Sequence, residues 1–237
     1  MLDKVRARVL VVRGAQAVFD PADASLVVVV GGDGTLLAAS HSVSSVPVLG
    51  VNSAPRHSVG FFCAARRGTF EAMLNEALEE KLASVTLTRM AVLVNGRVRS
   101  RRVLNEALFC HSEPAATSRY VLKFGRKREE QRSSGFWIGP AAGSTGAIRS
   151  AGGRVLPFGS TKLQLVVREP MFGRPLALQR VLVDAGQSIH AHSKMDAAAL
   201  YLDGPYRELP VQLGDEVTFR ASDEPLELLG LTSRKQR

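Results

Sequence analysis

The run Leu26-Val27-Val28-Val29-Val30, followed by Gly31-Gly32-Asp33-Gly34-Thr35, constrains this chain more than any other stretch. Apolar, mostly β-branched residues without polar alternation predict a strand buried on both faces. Three glycines around one carboxylate stop it, and Leu36-Leu37-Ala38-Ala39-Ser40 then suits a helix start. Open α/β sheets hold phosphate-bearing ligands at such a strand, glycine turn and helix N-terminus. Glycine lets the backbone approach a phosphate, and successive amides form an anion-binding concavity. Asp33 is the odd member, because a carboxylate repels phosphate. It suits a site that also needs a base, or an acceptor for a sugar hydroxyl. The plain alternative is a tight turn capped by Asp33 or Thr35. The dense glycine motif directly after the apolar strand favours function.

Around this stretch the chain divides by character. Residues 8–12 (RVLVV) and 26–30 are predicted strands, with too short a gap between them for a full helical crossover. Residues 46–51 suit the next strand. Residues 68–82 suit a helix, with Phe70, Met73, Leu74, Ala77, Leu78 and Leu82 on one face and Glu71, Glu76, Glu79 and Glu80 outside. Residues 1–84 are thus expected to form a small α/β domain. From residue 85 short strands dominate: 85–94, a hairpin at Asn95-Gly96 and a return over 97–110. Further candidates are 119–124, 136–138, 162–167, 176–183, 188–191, 198–202, 216–220 and 226–229. They predict a β-rich, sandwich-like domain over 85–231. A glycine-rich interruption at 143–153 suits a helix start, and 232–237 read as a frayed tail.

Composition excludes more than it identifies. No apolar run approaches the roughly 20 residues that span a bilayer, and residues 1–6 have no signal-peptide core, so a cytoplasmic location is expected. The formal charge of +9 favours anionic partners such as nucleotides. Basic runs at 97–102 and 123–128 lack interleaved aromatics in the pattern of a nucleic-acid surface, so nucleic acid is not the expected partner. The two cysteines and five histidines, His57 included, show neither metal nor triad spacing. No metal ligand is assigned.

Four more stretches carry chemistry-bearing residues. The segment from Gly50-Val51-Asn52 to Gly60-Phe61 follows a predicted strand, which places it on the same sheet edge as Asp33. Asn105-Glu106 sits inside an otherwise apolar predicted strand, so at least one of the pair should enter a core or a cleft, where it must be hydrogen-bonded. Amide plus carboxylate suits amide and ribose hydroxyl groups; a polar pair at a strand end is the alternative. Small residues and hydroxyls crowd 133–153, which suits a nucleotide lying against backbone. Leu202-Asp203-Gly204 reads as a plain β-turn.

Taken together, these motifs resemble the NAD kinase family, and in detail its mitochondrial-type branch. Gly31 to Thr35 matches the family's Gly-Gly-Asp-Gly-Thr, Gly50-Val51-Asn52 through Gly60-Phe61 its Gly-Val-Asn…Gly-Phe, and Asn105-Glu106 its Asn-Glu pair. Gly143-Ser144-Thr145 through Gly152-Gly153 resembles its glycine-rich element. The resemblance runs roughly from Leu26 to Pro210. It implies an α/β domain and a β-rich domain with NAD bound between them. The implied reaction moves a phosphoryl group from ATP, or polyphosphate in some members, to the 2′-hydroxyl of the adenosine ribose, with Mg2+ or another divalent metal. By position, the resemblance makes Asp33 the catalytic group. It assigns Gly32, Gly34, Thr35, Asn52, Phe61, Asn105, Glu106, Thr145, Gly146 and Ser150 to nucleotide and dinucleotide binding. It also implies a homo-oligomer, dimer or tetramer. The family's stacking Tyr is Ala147 here, and its Thr-Pro-Thr is Pro140-Ala141-Ala142. These departures keep open a catalytically silent dinucleotide-binding homologue. A lipid kinase of the diacylglycerol type shares the first motif but not the Asn-Glu and glycine-rich pair.

Overall fold

The computed structural model describes residues 8–14, 18–171 and 176–231. It separates into two compact units: residues up to Thr86 together with those from Leu226 onward, and Leu87–Pro225.

The first unit begins with β1 (Val27–Gly31), α1 (Asp33–Ser40) and β2 (Val48–Asn52). The strands run parallel in a register that pairs Val27 with Val48 and Gly31 with Asn52. Their C-terminal ends therefore lie side by side. The short β3 (Ala65–Arg66) joins β2 in parallel, followed by α2 (Phe70–Leu78) and β4 (Ser84–Leu87). α2 is shorter than the predicted 68–82, and Glu80 just beyond it adopts a left-handed φ of 55°.

Two expectations fail here. Residues 8–12 form no strand, and Leu10 and Val11 are exposed. An apolar run becomes a strand only where a sheet edge pairs with it. β1 is not buried on both faces either. Among the described residues it sits at the sheet edge beside β2 alone, Val29 is buried, and Val30 is 61% exposed.

Among the described residues, the strands of the second unit pair antiparallel. It contains β5 (Met90–Val94), β6 (Arg97–Val103), β7 (Ala107–His111), β8 (Ser118–Phe124), β9 (Lys127–Ser133) and β10 (Phe136–Pro140). A 3-10 turn (Ala141–Thr145) and α3 (Ala147–Ser150) follow. The chain continues through β11 (Leu163–Val167), β12 (Arg180–Val183), β13 (Ser188–Ser193), β14 (Ala198–Leu202), β15 (Glu208–Val211) and β16 (Glu216–Ala221). One six-stranded sheet has the order β12-β11-β10-β7-β14-β15, the other β6-β5-β16-β13-β8-β9. Asn95 and Gly96 both take positive φ, 52° and 73°, as a two-residue hairpin turn requires.

Strand alternation puts one face of each sheet inward. In β13, Ile189, Ala191 and Ser193 are buried while His190 and His192 face out. Phe109 and Phe136 come from one sheet, Tyr120 and Phe219 from the other, and the Phe136 ring lies 5.2–5.7 Å from the other three. Burying each such ring contributes about 2–3 kcal/mol, so this cluster holds the two sheets face to face. The second unit is a β-sandwich.

The last strand, β17 (Leu226–Leu229), is predicted with the β-rich domain but returns to the first unit, pairing in parallel with β2 at Leu228–Val48. The first sheet reads β1-β2-β17-β4, with β3 also beside β2. Its apolar residues Leu226, Leu228 and Leu229 are buried there. Among the described residues no helix is long and apolar enough to cross a membrane.

Candidate active site

In the first unit the parallel register brings two loops together. Ser53 N–H donates to the Gly31 carbonyl at 3.1 Å, extending the β1–β2 pairing into the turns. Gly32 caps α1 with extended backbone, and the amides of Thr35 and Leu36 return to its carbonyl at 3.1 and 3.2 Å. The first-turn amides have no acceptor inside the helix, as at every helix start. Asp33 begins the helix. Its Oδ1 accepts the Phe62 N–H at 2.9 Å. Among the described residues its other oxygen makes no hydrogen bond.

The flanking residues fall into two kinds. A Cβ at Gly32 would stand 2.5 Å from Ser58 Oγ, and one at Gly31 would run into the Thr35 side chain, so both positions are filled from inside. Gly34 is different: nothing lies within 4 Å of where its Cβ would be. It is the open position of the turn.

Asn52 is buried, and both ends of its side chain serve the loop: Nδ2 donates to the Ser58 carbonyl at 3.0 Å, and Oδ1 accepts the Ala54 N–H at 3.1 Å. Phe61 is half-buried, its ring edge-on to buried Phe62 at 5.1 Å.

In the second unit, Asn105-Glu106 do not lie within a strand. The chain leaves β6 at Val103 and enters β7 at Ala107 in the other sheet, and the three residues between form a bend. The reason is Asp203. Its carboxylate accepts the N–H groups of Leu104 at 2.9 Å, Asn105 at 2.6 Å and Glu106 at 3.2 Å. A carboxylate that gathers three successive amides pulls them out of any strand ladder.

Backbone from the glycine-rich element lies close to the same residues. Added Cβ atoms at Gly139 and Gly143 would both run into the Asn105 carbonyl. At Gly146 a Cβ would stand 3.6 Å from both Asn105 Nδ2 and Glu106 Oε2. Glu106 is buried and its Oε2 has no hydrogen-bond partner. Burial, and secondarily the Asp203 charge, push its carboxyl up to about 7, while the Asn105 side chain pulls the other way. A buried carboxyl oxygen without a partner is a group that a ligand can satisfy.

Thr145 is half-buried, Gly146 is exposed, and Ser150 lies one helical turn on, its hydroxyl 3.4 Å from the Gly146 carbonyl. Ser144, just before them, is fully buried; its hydroxyl donates to the Ala141 carbonyl and accepts the Leu156 N–H, which fixes the turn.

The structure thus groups Gly32, Asp33, Gly34, Thr35, Asn52 and Phe61 in one place, and Asn105, Glu106 and Gly146 in another. Sequence reasoning gave Ser58 no role and missed the anchoring role of Asp203. The Asp-Gly signal predicts the turn that is found, but not what its carboxylate holds.

Comparison with known proteins bears on most of the chain. Residues 7–82 match the ATP-NAD kinase N-terminal domain. A probable NADH kinase of rice (Oryza sativa subsp. japonica) is 38% identical over 228 residues, spanning 86% of this chain and 70% of the rice protein. This chain belongs to the NAD kinase family.

Two solved NAD(H) kinases share its fold. Yeast NADH kinase complexed with NADH superposes with a TM-score of 0.77 at 17% identity, over 90% of this chain. This chain spans 63% of the yeast one. An NAD kinase from Archaeoglobus fulgidus in complex with ATP has a TM-score of 0.71 at 24% identity, covering 89% of this chain and 79% of that one. The α/β unit and the β-sandwich are therefore NAD kinase architecture.

Among the described residues no three His, Cys, Asp or Glu side chains gather as a metal cage. Mg2+ usually enters kinase sites on substrate phosphates, keeping several waters.

Proposed function

We propose that this protein transfers a phosphoryl group from ATP, or from polyphosphate, to the 2′-hydroxyl of the adenosine ribose of NAD, forming NADP. The observation that carries this reading is Asp33, a carboxylate fixed by the Phe62 amide at the N-terminus of α1.

Phosphoryl transfer asks the protein mainly to position the reactants and neutralise charge. In this reading the free oxygen of Asp33 accepts the 2′-hydroxyl proton as the oxygen attacks phosphorus. The amides around Gly32, Gly34 and Thr35 face the phosphates, with Gly34 leaving room for close approach. Asn105 and Glu106 hold the other part of the dinucleotide, with Gly146 beside them and Thr145 and Ser150 on the same element. Asn52 acts by holding its loop in shape, and Phe61 lies against the base. Mg2+, a cytoplasmic location and a homo-oligomer belong to the same proposal.

The test is NADP formation by the purified protein from NAD and Mg2+, with ATP and polyphosphate supplied separately. Product with either donor supports the reading and identifies the donor. No product with either, while NAD still raises the melting temperature, overturns it in favour of a silent dinucleotide binder. Ala147, in place of the family's stacking Tyr, is the residue that motivates that alternative.

A further inference from the structure

The turn between β14 and β15 is built around a residue in an unfavourable conformation. Asp203 has φ +52°, followed by Gly204 at +110°. Asp tolerates the left-handed region better than most residues, though at some cost. The conformation is repaid through hydrogen bonds. Besides the three amides that its carboxylate accepts, the Asp203 N–H donates to the Glu106 carbonyl at 2.9 Å. Four hydrogen bonds therefore run from this one residue to Leu104, Asn105 and Glu106. The backbone of Gly139 and Gly143 lies so close to the Asn105 carbonyl that a Cβ at either position would run into it. The Asn105-Glu106 backbone is thus held by hydrogen bonds and lies close to neighbouring backbone.

We infer that Asp203 is a positioning residue for substrate binding, fixing the backbone from which Asn105 and Glu106 reach the dinucleotide. This rests on the proposed role of that pair toward NAD. Asp203 acts through the turn, with its carboxylate turned to the three amides and away from direct substrate chemistry. The Asp203 charge also acts on Arg89, which in turn lies near Arg102 and Glu224. Glu106 faces the Asp203 charge and the Asn105 amide. Replacing Asp203 with Asn keeps size and one acceptor oxygen but removes the charge. The change should therefore loosen the turn and also let Glu106 ionise at lower pH.

The experiment uses the full chain with Asp203→Asn and, in parallel, Glu106→Gln. It measures the Kd for NAD by calorimetry across pH, KM and kcat, and the melting transition. Asp203→Asn is expected to fold and to raise Kd and KM for NAD about 10-fold, the loss concentrated there rather than in kcat. The pH at which NAD affinity changes is expected to move to lower values. A folded Asp203→Asn with wild-type Kd and an unmoved pH profile overturns the inference.

Glu106→Gln separates the two layers. Weakened NAD binding there, with none in Asp203→Asn, removes only Asp203. Unchanged NAD binding in Glu106→Gln removes the role of the pair, and the inference with it. Where Asp203→Asn does not fold, hydrogen exchange on the wild type decides. Protected amides at Asn105 and Glu106, further protected by NAD, support the inference; exchange at open-chain rates overturns it.

Discussion

The backbone amide of Phe62 donates to Oδ1 of Asp33 at 2.9 Å, across a sequence separation of 29 residues. This bond ties the glycine turn after β1 to the loop after β2. It also orients the carboxylate, with one oxygen occupied by the Phe62 amide. Phe62 is itself buried at 3% exposure, so its amide is held by the core and not by a mobile loop.

Two glycine substitutions should separate folding from binding. Gly34→Ala adds a methyl into open space at the start of a helix. Stability should hold or rise by up to about 1 kcal/mol, while KM for the phosphate-bearing substrate rises. Gly143→Ala drives a methyl into the Asn105 carbonyl. That overpacking should cost about 1–3 kcal/mol and weaken NAD binding. Urea unfolding and steady-state kinetics on the two variants check both. Equal effects on stability would contradict this account of the two positions.

Glu106 makes stability depend on pH. Its carboxyl is raised from 4.5 to about 7 by burial and by Asp203. A raised carboxyl stabilises fully below its unfolded value, and that stability is lost as pH rises through the folded value. Wild type should therefore lose stability between about pH 4.5 and 7, and Glu106→Gln should remove that part of the slope. The variant should gain at most about 3 kcal/mol over wild type at pH 8 and little at pH 5. Denaturant unfolding at the two pH values measures it; parallel curves for the two proteins would exclude the effect.

Asn52→Ala should act on loop order. It removes the bonds to Ser58 O and Ala54 N and leaves those backbone groups without a side-chain partner. The expected loss is about 1–3 kcal/mol, with raised hydrogen exchange over residues 53–60. Unchanged exchange there would place the order of the loop elsewhere.

Much of this was legible because it is local. The Gly-Gly-Asp-Gly-Thr turn, the hairpin at Asn95-Gly96 and the alternation of β13 all follow from residues next to one another. So does the shared edge of the two loops, once β1 and β2 are parallel and in register. What sequence did not reveal depends on distant partners. Asn105-Glu106 look like strand because the residue that breaks the strand, Asp203, lies 97–99 positions later. Residues 226–229 have strand character, but pairing and not composition decides which sheet they join. Val30 is as apolar as Val29 yet exposed, because β1 ends up at an edge.

The central claim, that Asp33 accepts the proton of the ribose hydroxyl, is tested most directly by kcat for NADP formation in Asp33→Asn. Asn keeps an oxygen to receive the Phe62 N–H, so melting temperature and NAD affinity should stay near wild type. kcat should fall by about 100-fold or more. A folded Asp33→Asn that turns over at the wild-type rate would remove Asp33 from the reaction.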